Sequence, residues 1–181
     1  MPDFIAYPKT PRLFRDVVVT EKIDGTNAAV QVDELGAVTA QSRRRIITPD
    51  DDNFGFARWA AEHAGVLADT LGPGVHFGEW WGSGIQRGYG LAEKRLSLFN
   101  ASRWEAEDLS AVPGLGVVPV LARCTFGQDV IEDSVQRLRD EGSLAAPGFR
   151  PAEGIVVWHS ASRQAYKVLL ENDELPKGVA A

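Results

Sequence analysis

Short apolar runs punctuated by turn residues dominate this chain, and helical spacing appears in only two stretches. Val17–Val19 is a strand-length run that stops at Thr20-Glu21-Lys22-Ile23-Asp24-Gly25. Ala28 to Val32 and Ala37 to Gln41 flank Asp33-Glu34-Leu35-Gly36, the pattern of a hairpin with glycine in its turn. Asp50, Asp51 and Asp52 then precede Phe56, Trp59, Ala60, His63 and Ala64, which recur at helical spacing. Acids at a helix start suit its dipole, and Leu71-Gly72-Pro73-Gly74 ends the helix. Val75–Trp81 reads as a strand and Gly82–Gly90, with four glycines, as a loop. Leu96–Phe99 and Val117–Ala122 read as further strands. Asp129 to Glu141 is helical, with Val130, Ile131, Val135 and Leu138 on one side and Gly142 as its stop. Ile155–Trp158 and Ala165–Leu170 flank a polar turn at Ser160–Arg163, a second hairpin. Strands and helices therefore mix irregularly. The fold class is α+β, mostly antiparallel sheets with flanking helices, not a regular βαβ wind.

Composition narrows the picture further. The 181 residues suit one domain, and 44% hydrophobic with 24% charged residues is an ordinary globular balance. No internal linker marks a second domain, so residues 1–181 are expected to form one unit without a separate C-terminal nucleic-acid-binding domain. A net charge of −6 excludes a uniformly basic nucleic-acid coat but permits a local basic groove. Cys124 is the single cysteine, which excludes an internal disulfide framework and a multi-cysteine zinc site. The N-terminal residues, with Pro2, Pro8 and Pro11, form an extended lead-in without the apolar core of a signal peptide. A cytoplasmic location with no membrane partner is the expectation.

One lysine ends an apolar strand, and three further charged residues intrude on β-rich runs. Lys22 ends the first apolar strand, Glu79 lies inside Phe77-Gly78-Glu79-Trp80-Trp81, Glu153 opens Glu153-Gly154-Ile155-Val156-Val157, and Lys167 lies inside Tyr166-Lys167-Val168. Charged side chains are rarely buried in strands without partners. One such intrusion reads as a simple ion pair, for instance Glu153 with Lys167. The ordered set reads as one polar cleft between sheets. The chemistry such a cleft supports is nucleotidyl transfer through a lysine. A lysine amine is almost wholly protonated at neutral pH, and bringing its pKa from ~10.4 to ~7–8 takes roughly 4 kcal/mol. Burial and a second cation push in that direction. Lys167 and a bound Mg²⁺ are the cations at hand, and Asp24, Glu79 and Glu153 are the carboxylates that suit a hard metal ion.

From about Val17 to Leu170 the chain resembles the covalent nucleotidyltransferase superfamily of ATP-dependent ligases and capping enzymes. It is most similar to the RNA ligase family, in its nick-sealing and RNA-editing branch. The superfamily signature of a lysine, any residue, then Asp-Gly stands here as Lys22-Ile23-Asp24-Gly25. Glu21 in front and Thr26-Asn27 behind resemble an RNA ligase, because DNA ligases and capping enzymes more often carry arginine where Asn27 stands. The resemblance implies an adenylation fold with ATP between two sheets. It implies that Lys22 takes AMP, with Asp24 and Lys167 as further catalytic residues. Glu21 would accept from the adenine amino group and Asn27 would contact the ribose-phosphate. Arg43, in Gln41-Ser42-Arg43-Arg44-Arg45, would contact the ribose or an incoming phosphate. Glu79 would bind a ribose hydroxyl or a metal water, and Phe99, in Arg95-Leu96-Ser97-Leu98-Phe99, would stack on adenine. Asp24, Glu79 and Glu153 would serve Mg²⁺ or Mn²⁺. Lys167 would hold the α-phosphate. One departure stands out. The family's last motif has a second lysine two places on, where this chain has Leu169, leaving Lys177 or an arginine to substitute.

The implied partners are RNA ends, nicked or single-stranded, or DNA ends, with a protein partner supplying end recognition in one version. Two rivals stay open. One is a capping-like transferase with another acceptor, and the other is a non-catalytic module that binds nucleotides or nucleic-acid ends. Arg87, Lys94 and Arg95 would extend a basic path for an RNA backbone, and Trp80 or Trp81 would stack on a base, although strand alternation puts at least one of them in the core. His63, His76 and His159 lack metal-ligand spacing and read as structural. Cys124 reads as buried, and Asp50–Asp52 as a solvated helix start.

Overall fold

The computed structural model describes residues 3–171, 173 and 174. Chain order is β1 (Asp16–Lys22), β2 (Thr26–Val32), β3 (Val38–Ser42), β4 (Ile46–Ile47), α1 (Phe56–Glu62), α2 (Ala64–Leu71) and β5 (Gly74–Gly82). It continues with β6 (Lys94–Leu98), α3 (Ala101–Trp104), β7 (Leu115–Val117), β8 (Val120–Thr125), α4 (Gln128–Glu141), β9 (Gly154–His159) and β10 (Gln164–Leu169). The strands form two sheets: a four-stranded one in the order β10-β9-β1-β8, and a six-stranded one in the order β4-β3-β2-β5-β6-β7. Every pairing is antiparallel except β6 with β7, which is parallel. The α+β class with antiparallel sheets and flanking helices is the one read from the sequence.

Each sheet buries one face under helices. Val30, Val32, Trp80, Leu96 and Leu98 pack against Phe56, Leu67 and Leu71 of α1 and α2. Val17, Val19, Ile155 and Val157 pack under Leu138 and the apolar side of α4. This is the strand alternation of apolar and polar positions put to use, because the residues between them point to the opposite face. A third, smaller cluster of Ile23, Trp81, Tyr89, Val118 and Ala146 joins the sheets where the chain passes between them.

Three details depart from the sequence reading. The run 117–122 is not one strand: β7 ends at Val117 and β8 begins at Val120, in different sheets. Pro119 has no N–H to give to a ladder, which breaks the pairing there. The helical stretch from Phe56 to Leu71 is two helices that meet at His63, whose ring Nδ1 hydrogen-bonds with the Trp59 carbonyl. The short elements β4 and α3 carry no pattern long enough to announce them. Asp52 does serve the helix start, accepting from the N–H groups of Asn53 and Ala57. None of the described helices is long and apolar enough to cross a membrane.

Candidate active site

Strand register builds the site. β1 and β9 pair so that Lys22 lies opposite Gly154, which brings the preceding residue, Glu153, to the end of β1. The Lys22 Nζ donates to Glu153 Oε1 at 2.6 Å, with side chains only 24% and 15% exposed. The other carboxylate oxygen, Oε2, is buried and has no hydrogen-bond partner. A buried acceptor left open is costly and marks a position that a ligand group can fill.

The turn after Lys22 lies hard against β5. A Cβ on Gly25 would come within 2.5 Å of the Trp80 carbonyl and 2.8 Å of the Trp81 Cβ, so only glycine fits there. That closeness lets the Gly25 N–H serve the Glu79 carboxylate. Burial pushes the Glu79 carboxyl up from 4.5 to about 7, and Glu153 and Asp24 add to the rise while Lys22 and the Gly25 N–H oppose it. Glu79 thus holds its proton to higher pH than an ordinary carboxyl, within the field of the Lys22–Glu153 pair.

The other implied residues are placed as follows. Asn27 on β2 lies in register with Glu79 on β5. Phe99 follows β6 on the same face as Glu79, and its N–H donates to the Phe77 carbonyl. Phe77 and Phe99 are 54% and 41% exposed, so this aromatic pair keeps free ring surface. Arg43 is exposed in the loop between β3 and β4, whereas Arg45 pairs with Asp51. Lys167 is exposed on β10, opposite Val156, which in turn pairs with Thr20 of β1. It therefore shares a face with Lys22, but Glu153 pairs with Lys22 and not with Lys167. Leu169 pairs with Gly154, which pairs in turn with Lys22, so the position of the motif's missing second lysine faces Lys22 across a glycine. Lys177 lies outside the described residues.

Glu21 is turned the other way. Alternation along β1 sends it to the face opposite Lys22, where it is buried and accepts from the Ser143 hydroxyl at 2.5 Å and the N–H groups of Leu144 and Ala145 at 2.8 and 2.9 Å. Burial raises its pKa against the pull of these bonds. Its carboxylate fastens the segment after α4 to β1 and is committed to it, so an adenine contact through this carboxylate is not available in this arrangement.

Several residues unmentioned by any motif complete the site. Arg87 reaches Asp24, and the Tyr89 hydroxyl accepts from the Asp24 N–H at 2.7 Å. Tyr89 itself is wedged between Trp81 and Phe149. Trp80 and Trp81 are both core residues, 2% exposed each, so neither offers a ring to a base. Arg87 and Arg95 spend their charge on Asp24 and Glu93, which shortens the basic path expected of them. His76 and His159 are buried and bonded to the carbonyls of Gly72 and Leu13. Cys124 is half-buried on β8.

A divalent cation fits the acidic end of this cleft in one way. Among the described residues no three side chains of the ligating types converge to hold an ion directly. The open Oε2 of Glu153 and the buried Glu79 nonetheless offer hard oxygen donors, and Mg²⁺ characteristically keeps several of its waters.

Residues 15–169 match a family model described as RNA ligase. No curated protein sequence gives a significant match. Among solved structures, a Naegleria gruberi RNA ligase variant with ATP and Mn superposes with a TM-score of 0.63 at 16% identity, covering 94% of this chain and 57% of that one. An archaeal ATP-dependent RNA ligase gives 0.58 at 19% identity, covering 92% of this chain and 48% of that one. A chain of Aquifex aeolicus provisionally described as an ATP-dependent DNA ligase also gives 0.58 at 19%, covering 92% and 50%. The protein thus has the fold of ligase nucleotidyltransferase domains and spans about half the length of the chains it resembles.

Proposed function

The chain belongs to the RNA ligase family, and on that premise we propose that it is an ATP-dependent RNA ligase working through a lysyl-AMP on Lys22. The observation that carries this reading is the Lys22 amine held 2.6 Å from Glu153 at the mouth of a glycine-fixed turn, with Glu79 and the exposed Phe77–Phe99 face beside it. For the first step the Lys22 ammonium leaves its ion pair with Glu153 and loses one proton to solvent, and the neutral Nζ then attacks the α-phosphorus of ATP. A P–N bond forms, the P–O bond to pyrophosphate breaks, and the amine gives up a second proton, for which Glu153 Oε1 is within hydrogen-bond reach. Phe99 provides a ring for adenine, and Asn27 and Glu79 line the side where ribose would lie. Lys167 and Arg43 supply positive charge for phosphates. When bound, Mg²⁺ or Mn²⁺ near Glu79 and Glu153 supplies charge neutralisation for the triphosphate.

AMP then passes to an RNA 5′-phosphate, and a 3′-hydroxyl attacks that phosphorus and expels AMP. The substrate is an RNA end in a nick or a single strand. The test is incubation with α-labelled ATP or GTP and Mg²⁺, followed by denaturing electrophoresis beside Lys22→Ala. Label from ATP that disappears in the variant supports the reading. Label from GTP favours the capping-like rival, and no label from folded protein leaves the binding module.

A further inference from the structure

The glycine-rich loop 82–90 matches no phosphate-binding spacing, yet it is built with care. Ile85 is fully buried, and turn hydrogen bonds run from Ile85 to Gly82, from Gly88 to Ile85 and from Leu91 to Gly88. Gln86 and Tyr89 hold φ of 45° and 54°, conformations that non-glycine residues adopt only when their surroundings fix them. The loop delivers Arg87 and Tyr89 to one place. Arg87 Nε donates to Asp24 Oδ2 at 2.9 Å, and its Nη1 donates to the Pro151 carbonyl at 2.9 Å and lies 3.5 Å from that of Ala152. Tyr89 takes the Asp24 N–H.

These contacts close a circuit. Asp24 lies two residues beyond Lys22, and Ala152 immediately precedes Glu153. We propose that Arg87 is a positioning residue, a clasp that ties the Lys22 turn to the segment leading into β9 and so sets the Lys22–Glu153 contact. The inference rests on the lysyl-AMP reading for its catalytic consequence, though the clasp itself is a matter of geometry. A guanidinium suits the task, because its rigid fork serves a carboxylate and carbonyls at once, whereas a lysine has a single charged point. This role also replaces the free basic path for Arg87. The side chain is satisfied within the chain, so an RNA phosphate would have to displace three oxygen atoms to use it.

The test compares wild type, Arg87→Ala and Arg87→Lys, with Arg137→Ala as a surface control that breaks only the helical pair with Glu141. The first readout needs no nucleotide: the rate at which a small acylating reagent modifies Lys22, followed by mass spectrometry. Opening the ion pair frees the amine, so Arg87→Ala raises that rate severalfold and Arg87→Lys does so less. The second readout is self-adenylylation. Misplacing reacting groups by an ångström costs about 10²-fold, so Arg87→Ala lowers the rate at saturating ATP by about 10- to 100-fold. The half-saturating ATP concentration changes much less, and Arg87→Lys restores part of the rate. Acylation equal to wild type in both Arg87 variants would overturn the clasp, as would sealing lost with adenylylation intact. If Arg87→Ala does not fold, Arg87→Lys alone decides by the same two readouts. If wild type itself takes no label from ATP, the ligase reading fails and the acylation rates still judge the clasp.

Discussion

Glu79→Gln tests the electrostatics of the cleft without touching its shape. Burial holds the Glu79 carboxyl at about 7 against an ordinary value of 4.5. That difference is worth about 3 kcal/mol, at ~1.4 kcal/mol for each tenfold change in proton affinity. The sign follows from proton counting. Between pH 4.5 and about 7 the folded chain keeps a proton that the unfolded chain has released, so raising the pH favours unfolding. Below that window Glu79 is neutral in both states and contributes no pH dependence. Glutamine is neutral throughout and has no such penalty. Urea melts of both proteins from pH 4 to pH 9 should therefore show wild type losing up to about 3 kcal/mol relative to the variant across the window, a midpoint shift of about 1–2 M at a typical urea slope. Because desolvation is the leading cause, added salt should leave most of the difference in place. Parallel stability curves, with a gap independent of pH, would refute the assignment of a buried, reluctant carboxyl at the centre of the site. The same variant should adenylylate poorly at every pH, since an amide cannot replace a carboxylate near a cation.

Two further substitutions probe packing and stacking. Gly25→Ala forces a methyl group against the Trp80 carbonyl and the Trp81 side chain, so it should cost about 1–3 kcal/mol in denaturant melts and abolish labelling more completely than that loss explains. Phe99→Leu keeps an apolar side chain but removes the ring; with aromatic stacking worth about 0.5–1.5 kcal/mol, half-saturating ATP in the labelling assay should rise roughly 2- to 12-fold with the maximal rate little changed.

The architecture was largely legible because strand signals are local. Both hairpins, β5, α4 and the 82–90 loop follow from alternation, helical spacing and turn residues alone. The split at 118–119 was not, since an apolar run through Pro119 reads as continuous until one asks which ladder a proline can join. The site's acids and its lysine pair were visible as charges where strands should be apolar. What joins them was not. The Arg87–Asp24 contact spans 63 residues and the Ser143–Glu21 bond 122, and no periodicity connects positions so far apart. Alternation did contain one clue: it puts Glu21 and Lys22 on opposite faces of β1, so the two cannot reach into the same side of a cleft with their side chains.

Among the described residues the chain passes between the two sheets only twice, at Ile23–Gly25 from β1 to β2 and at Val118–Pro119 from β7 to β8. The Glu21 N–H bonds to the Pro119 carbonyl at 2.9 Å, so the two crossings lie side by side. Together they tie the two sheets at one place, around which Ile23, Trp81, Tyr89, Val118 and Ala146 pack. Lys22 is the last residue of β1 before the first crossing, so its amine sits where the chain is tied to both sheets at once.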